Sequence, residues 1–320
     1  MSEKLNAFAA LHRPAIEARL QQRCPRSVLA GTFNLNEALR NAVSCGGKRI
    51  RPLLTLLAAS SLGVPTEDVL EIACGVEFLH LSSVILDDLP AMDDAQMRYH
   101  RPALHILYGE ATAILAAMAL YAEAFGIFSQ WPSVVREAVR AVGCDGMAGG
   151  QAADLLGVRP SLLAKTTSLI RFALTAGALA AQAPPEPLRA LARFGELIGE
   201  AYQICDDLMD ELATESYTGK SVGQDRRHGR SALDAGCGLE SALARACLLV
   251  EAAVKTLNEG LSPYGETDTL CDFAETIIQR INDLVEGNHV DAGGSRRAAH
   301  ASGAECDVMA ADPDRRGRSR

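Results

Sequence analysis

The chain has 320 residues, 48% of them hydrophobic, enough to bury a sizeable core as one large domain or two ordinary ones. Its formal charge of −9, with no long basic run except a cluster at the far C-terminus, argues against general nucleic-acid binding. Nine cysteines form no CxxC pair and no even framework, which fits reduced thiols in a cytoplasmic protein.

The N-terminal stretch MSEKLNAFAALHRPAIEARL mixes acidic and basic residues and lacks the apolar core of a signal peptide, so it reads as a soluble helix. No stretch approaches the roughly 20 uninterrupted apolar residues that span a bilayer, and no transmembrane segment is expected. Alanine and leucine dominate, and apolar residues recur at three- and four-residue spacing, which predicts an all-α chain. The predicted helices cover 4–22, 35–44, 51–62, 66–88, 111–129, 133–142, 161–181, 186–211, 239–258 and 266–286. Breakers at Gly46-Gly47, Gly63 with Pro65, Pro90, Pro132, Pro160, Pro184-Pro185 and Pro263 support these limits. From Asn288 the apolar periodicity fades into Gly, Arg and Asp. Residues 1–287 therefore read as helical and 288–320 as a disordered tail.

Charged residues interrupt this apolar pattern in four places. Gly46-Gly47-Lys48-Arg49-Ile50-Arg51 is a compact basic loop whose glycines let backbone N–H groups approach an anion, with Lys48 and Arg51 placed to clamp it. The bland reading is a helix start with incidental charge. His80, taken alone, is more often a satisfied core histidine than a ligand. Asp87 and Asp88 end an apolar helix, Pro90 breaks it, and Asp93 must return to the same place across a short loop, while Asp94 is expected to face solvent. Asp206 and Asp210 lie four apart on one helix face with Asp207 alongside. Such a string is weak evidence by itself, but the preceding GELIGEAYQIC is largely apolar. Carboxylates placed there are costly unless something cationic sits between them. Two facing clusters would hold several hard divalent cations, Mg²⁺ above all. Arg98, Lys165 with Thr166, Gln203 and Lys220 are further candidates for holding an anion.

Taken together, GGKRIRPLL, EFLHLSSVILDDLPAMDD, RPALH, GEATAILAAMAL, GMAGGQAADL, AKTTSLIRFALTAGAL, AYQICDDLMD and TGKSVGQD resemble the trans-isoprenyl diphosphate synthases, in particular the geranylgeranyl and farnesyl diphosphate synthases. The resemblance implies a single-domain, isoprenoid-synthase-type helical bundle around a deep central cavity, assembled as a homodimer. It also implies condensation of isopentenyl diphosphate with an allylic diphosphate. By the same likeness Asp87, Asp88, Asp93, Asp206, Asp207 and Asp210 are metal ligands, for three Mg²⁺ ions per site. Arg98, Lys165, Thr166, Gln203 and Lys220 would hold the allylic diphosphate, and Gly47, Lys48, Arg51 and His80 the isopentenyl diphosphate; Arg230 stands where the family often has a substrate-binding lysine. Catalysis would fall to Asp87, Asp88, Lys165, Asp206 and Lys220.

The chain departs from the family pattern in places. Tyr99 stands where a second arginine is usual, Leu86 where a histidine often precedes the aspartates, and the tail has no clear counterpart of the family's basic C-terminal end. Ser82 and Ser83, five and four residues before Asp87, are expected beneath the first cluster. Neither can block a cavity as an aromatic ring would, which favours a C20 product over C15. Two rivals are a synthase-like subunit that modulates an active partner, supported by Tyr99, and a terpene cyclase. The two complete aspartate motifs argue against both.

Overall fold

The computed structural model describes residues 2–156, 162–212 and 239–293. Ten long or medium helices dominate the described residues: α1 (Glu3–Arg23), α2 (Phe33–Ser44), α3 (Ile50–Ser60), α4 (Thr66–Asp87), α6 (Glu110–Phe128), α7 (Pro132–Val142), α9 (Leu162–Ala180), α10 (Pro185–Leu212), α11 (Leu239–Gly260) and α12 (Asp268–Gly293). Each corresponds to a helix predicted from periodicity, with ends within a few residues except for the last. That helix runs on to Gly293, past the expected change of character at Asn288.

Four small elements were not predicted. The five-residue α5 (Leu104–Tyr108) is too short to show a period. The α8 helix (Met147–Leu155) carries the sequence MAGGQAADL, whose two glycines weaken the signal. Strands β1 (Met97–Arg98) and β2 (Arg101–Pro102) form a minimal antiparallel hairpin pairing Met97 with Pro102 and Arg98 with Arg101. Its turn residues, Tyr99 (φ 51°) and His100 (φ 60°), both occupy the left-handed region where Gly and Asn are usual, so no turn signal was present.

The α4 helix is the centre of the bundle, packed against α3, α6 and α9, while α10 lies between α9 and α11. It buries residues all round its surface, from Val69 to Ile85. Gly177 lets α9 press close to α3: a Cβ there would stand 2.2 Å from the Thr55 carbonyl oxygen, a backbone atom that cannot move aside. On length and composition alone α4 and α6 are long and apolar enough to cross a membrane, as the core helices of globular proteins also can be. Burial accounts for most of α4's apolar surface, since 72% of that window lies inside the protein, but only 39% of the α6 window does. The remainder of α6 presents Ile114, Leu115 and Met118 outward, beside Ile106 and Leu107 of α5.

One buried ion pair joins the N-terminal half. Arg49, only 2% exposed and left-handed at φ 49°, precedes α3. Its guanidinium donates to Glu17 of α1 (2.7 and 3.1 Å), to Glu77 of α4 (2.8 Å) and to the Val43 carbonyl near the end of α2 (2.7 Å). Burial works against the charge, but the two carboxylates outweigh it and hold the guanidinium above its ordinary pKa. Removing the cation alone leaves Glu77 buried without a counter-charge. Arg49→Met is expected to cost about 3–5 kcal/mol in urea unfolding, and Arg49→Met with Glu77→Met to recover most of that loss.

Candidate active site

The basic loop begins with Gly46 (φ 81°) and Gly47 (φ 115°), conformations that suit glycine and turn the chain sharply into α3. Anchored by Arg49, the loop sets Lys48 on one side and Arg51 on the other. Arg51 Nη1 lies 3.2 Å from His80 Nε2, about two turns before the aspartate end of α4. Burial pushes the His80 imidazole well below its ordinary pKa, and Arg51, Arg98 and Arg49 add to the effect, so the ring is neutral and its Nε2 accepts from Arg51.

Asp87 is the last residue of α4 and Asp88 its C-cap. As expected, the chain turns back at once. The Asp93 N–H donates to the Asp87 carbonyl at 2.9 Å, and the Ala95 N–H to that of Asp88 at 3.2 Å. Asp94 is exposed, as anticipated. Asp88 is 3% exposed, and its carboxylate is gripped by Nε and Nη2 of Arg98. Burial still raises its pKa above the ordinary carboxylate range, against the pull of Arg98 and with Asp93 adding to the rise.

On the facing side, the small Gly199 lets α10 press against α9; a Cβ there would meet the Thr167 Cα at 2.7 Å. That approach brings together residues that sequence singled out separately. Thr166 Oγ1 donates to Gln203 Oε1 at 2.6 Å, and Gln203 Nε2 donates to Asp207 Oδ1 at 2.7 Å. The two halves meet around Tyr202 and Asp206. Lys48 and Arg280 both feel the Asp206 charge, and Tyr202 senses Asp206, Arg280 and Arg51. Partial desolvation and then Arg280 push the Lys48 ammonium below its ordinary pKa.

Arg280 was missed by the sequence reading, which looked for a basic end in the tail. It stands instead within α12, its guanidinium 5.6 Å from the Tyr202 ring centre. The signal was present as a lone arginine in the apolar-periodic stretch ETIIQRIND, but nothing in the spacing tied it to Lys48. Tyr99, at the hairpin tip, lies over Gly47: a Cβ on that glycine would be 3.8–3.9 Å from its ring and hydroxyl. It is close enough to Glu77, Arg98, Arg51 and Arg49 to feel their charges. Buried His105, near Asp88, has both ring nitrogens without a hydrogen-bond partner among the described residues.

The side chains of Lys165 and Asp210, and the whole of Lys220 and Arg230, lie outside the described residues. Among those described, no three acidic, histidine or cysteine side chains converge into a metal shell. Asp88 faces Arg98 and Asp207 accepts from Gln203. The donor set is nevertheless all carboxylate oxygen, the chemistry that Mg²⁺ takes, and the raised pKa of Asp88 marks a carboxyl whose ionised form a neighbouring cation would stabilise.

A bundle with a cationic loop and two carboxylate segments at one mouth matches the isoprenoid-synthase fold in solved structures. An FPP/GFPP synthase from Zymomonas mobilis superposes with a TM-score of 0.72 at 30% identity, covering 87% of this chain and all of the other. Residues 33–235 match the polyprenyl synthetase family model, and the chain belongs to that family. A farnesyl diphosphate synthase of Bacillus subtilis is 33% identical over 303 residues, 88% of this chain and 99% of that protein. A geranylgeranyl diphosphate synthase of Cyanophora paradoxa is 35% identical over 286 residues, 83% and 93% of the two chains.

The His80 environment gives a pH prediction. Because its folded pKa is depressed, the unfolded chain binds the proton more readily, and stability falls as pH drops through about 6.5. Thermal melts between pH 7.5 and 5.0 should show this loss in the wild type and a shallower one in His80→Gln, whose amide oxygen can still accept from Arg51.

Proposed function

We propose that the protein is a Mg²⁺-dependent trans-prenyltransferase that joins isopentenyl diphosphate to an allylic diphosphate. The observation that carries this reading is the convergence of Lys48, Arg280 and Asp206 from three distant parts of the chain, beside Arg51 and its neutral partner His80. The names of the relatives in both product classes support it. Lys48 and Arg51 hold the isopentenyl diphosphate, with Gly47 allowing close backbone approach. Arg98, Thr166 and Gln203, together with Lys165, Lys220 and Arg230 by position in the sequence, serve the allylic diphosphate. Asp87, Asp88, Asp93, Asp206, Asp207 and Asp210 would hold Mg²⁺, which when bound supplies positive charge against the departing diphosphate. As the allylic C–O bond breaks, the isopentenyl double bond attacks the allylic carbon, and a proton then leaves to the released diphosphate. The apolar interior of the bundle keeps water from the cationic carbon.

Two finer points belong to the same proposal. The exposed apolar face of α5 and α6 is covered by a second copy in a homodimer, which sedimentation velocity reads directly. The product is C20. Ser82 is 1% exposed and donates to the Ala117 carbonyl of α6 at 3.0 Å, so it packs against a neighbouring helix. Ser83, half-buried and bonded among the described residues to the His80 carbonyl of its own helix, is the better position for the test.

Purified protein with Mg²⁺, isopentenyl diphosphate and each allylic starter in turn should yield geranylgeranyl diphosphate, and Ser83→Phe a shorter chain. Absence of elongation with every starter would sink the reading. The phenol of Tyr99 can donate one hydrogen bond but brings no charge to a pocket that takes an anion. Tyr99→Arg is accordingly expected to lower KM for isopentenyl diphosphate by about tenfold with kcat little changed, the worth of one charge-assisted hydrogen bond at ~1.5 kcal/mol.

A further inference from the structure

A second concentration of positive charge lies at the other end of the bundle. Between α7, α9 and α10 is a cleft of about 310 Å³, at the small end of the range typical of ligand pockets. Arg136 and Arg140 line it from α7, Arg171 from α9 and Arg189 from α10, against a single carboxylate, Glu137. In a chain of formal charge −9 this is a local reversal of sign. It is also remote from the aspartates: Arg189 lies about 25 Å along α10 from Asp206 at ~1.5 Å per residue.

The charges within the cleft are not equivalent. Glu137 is buried and already neutralised, accepting from Arg171 on one oxygen and from Arg140 at 3.4 Å on the other. Arg171 is further steadied by Glu196 at 3.3 Å, so its guanidinium is fixed in place. The acid nearest the fourth arginine in sequence, Glu186, accepts from the Tyr264 hydroxyl at 2.7 Å. Arg136 and Arg189, which line the cleft from α7 and α10, make no side-chain hydrogen bond or ion pair among the described residues. Two planar forks are thus left to bind an anion across the cleft, with a third held firmly at its base. Leu179 and Leu188 supply an apolar wall beside them.

We infer that this cleft is a second anion site, separate from the substrate mouth, which takes an organic diphosphate: a head bridged by Arg136 and Arg189 and an apolar tail on Leu179 and Leu188. Arginine forks match phosphate oxygens in pairs, and the apolar wall selects an amphiphile over the bare anion. The inference does not depend on the reaction proposed above.

Calorimetric titration of the full chain with farnesyl diphosphate in excess EDTA tests it, since chelation removes metal-bridged binding at the aspartates. The expected result is one equivalent bound, at least tenfold weaker in Arg136→Ala/Arg189→Ala but not in Lys48→Ala, with weaker binding of inorganic diphosphate. Both substituted arginines are exposed and outside the substrate mouth, so condensation rates at low substrate should be unchanged in the double variant, which also reports that it is folded. Equal affinity of wild type and double variant would overturn the inference. So would inorganic diphosphate binding as tightly as the amphiphile, or arginine-dependent binding seen only with anionic phospholipid vesicles. Arginine-dependent binding by a protein that fails every condensation assay would leave the cleft in place and remove the proposed reaction instead.

Discussion

The buried guanidinium of Arg49 is the point on which the charged mouth of the bundle depends. It binds a carboxylate on α1, another on α4 and a backbone carbonyl of α2, and it does so from the residue between Lys48 and the start of α3. The left-handed backbone at Arg49 turns Lys48 away while its own side chain goes inward, so one residue fixes the loop and aims its neighbours. A desolvated cation of this kind adds little net stability compared with an apolar replacement, but it tolerates few alternative arrangements. Its worth lies in register. The same interaction that closes the N-terminal helices together decides where Lys48 and Arg51 stand.

Around that anchor the mouth balances charges that would otherwise repel. Asp88 is neutralised by Arg98, Asp207 is oriented by Gln203, and Asp206 lies within reach of Lys48 and Arg280. His80 stays neutral beside three arginines, which removes a like charge and leaves an acceptor to orient Arg51. Each acid therefore has a partner it can exchange for a stronger cation, and each base a partner it can exchange for a stronger anion. Such an arrangement is stable by itself and still receptive to a charged ligand.

Much of this was legible in the residues. The long helices follow from three- and four-residue apolar spacing, and the breakers at Gly46-Gly47, Pro90 and Pro132 fall where the helices end or begin. The return of Asp93 to Asp87 across a short loop followed from Pro90 and is seen in a backbone hydrogen bond. What sequence could not carry is contact between segments distant along the chain. Nothing in ETIIQRIND points to Lys48, nothing in RYHR says that Tyr99 covers Gly47, and the spacing of Ser82 before Asp87 does not reveal that its hydroxyl is spent on α6. That Arg49 turns inward onto Glu17 and Glu77 while Arg51 meets His80 also needed the structure.

The position of Arg280 has a consequence for how the protein is made. It lies more than two hundred residues from Lys48, on the last described helix, and that helix is docked against the first by Ser2 to Asp272 at 2.5 Å and Lys4 to Asp268 at 2.7 Å. Contacts of such long separation form late, and during synthesis the basic loop is complete long before α12 exists. A growing chain therefore carries half a mouth, with Lys48 and Arg51 but without the cation that sits opposite them. The two cations and Asp206 come together only when the two ends of the chain have closed on each other, so completion of this charged cluster is itself a measure of finished folding.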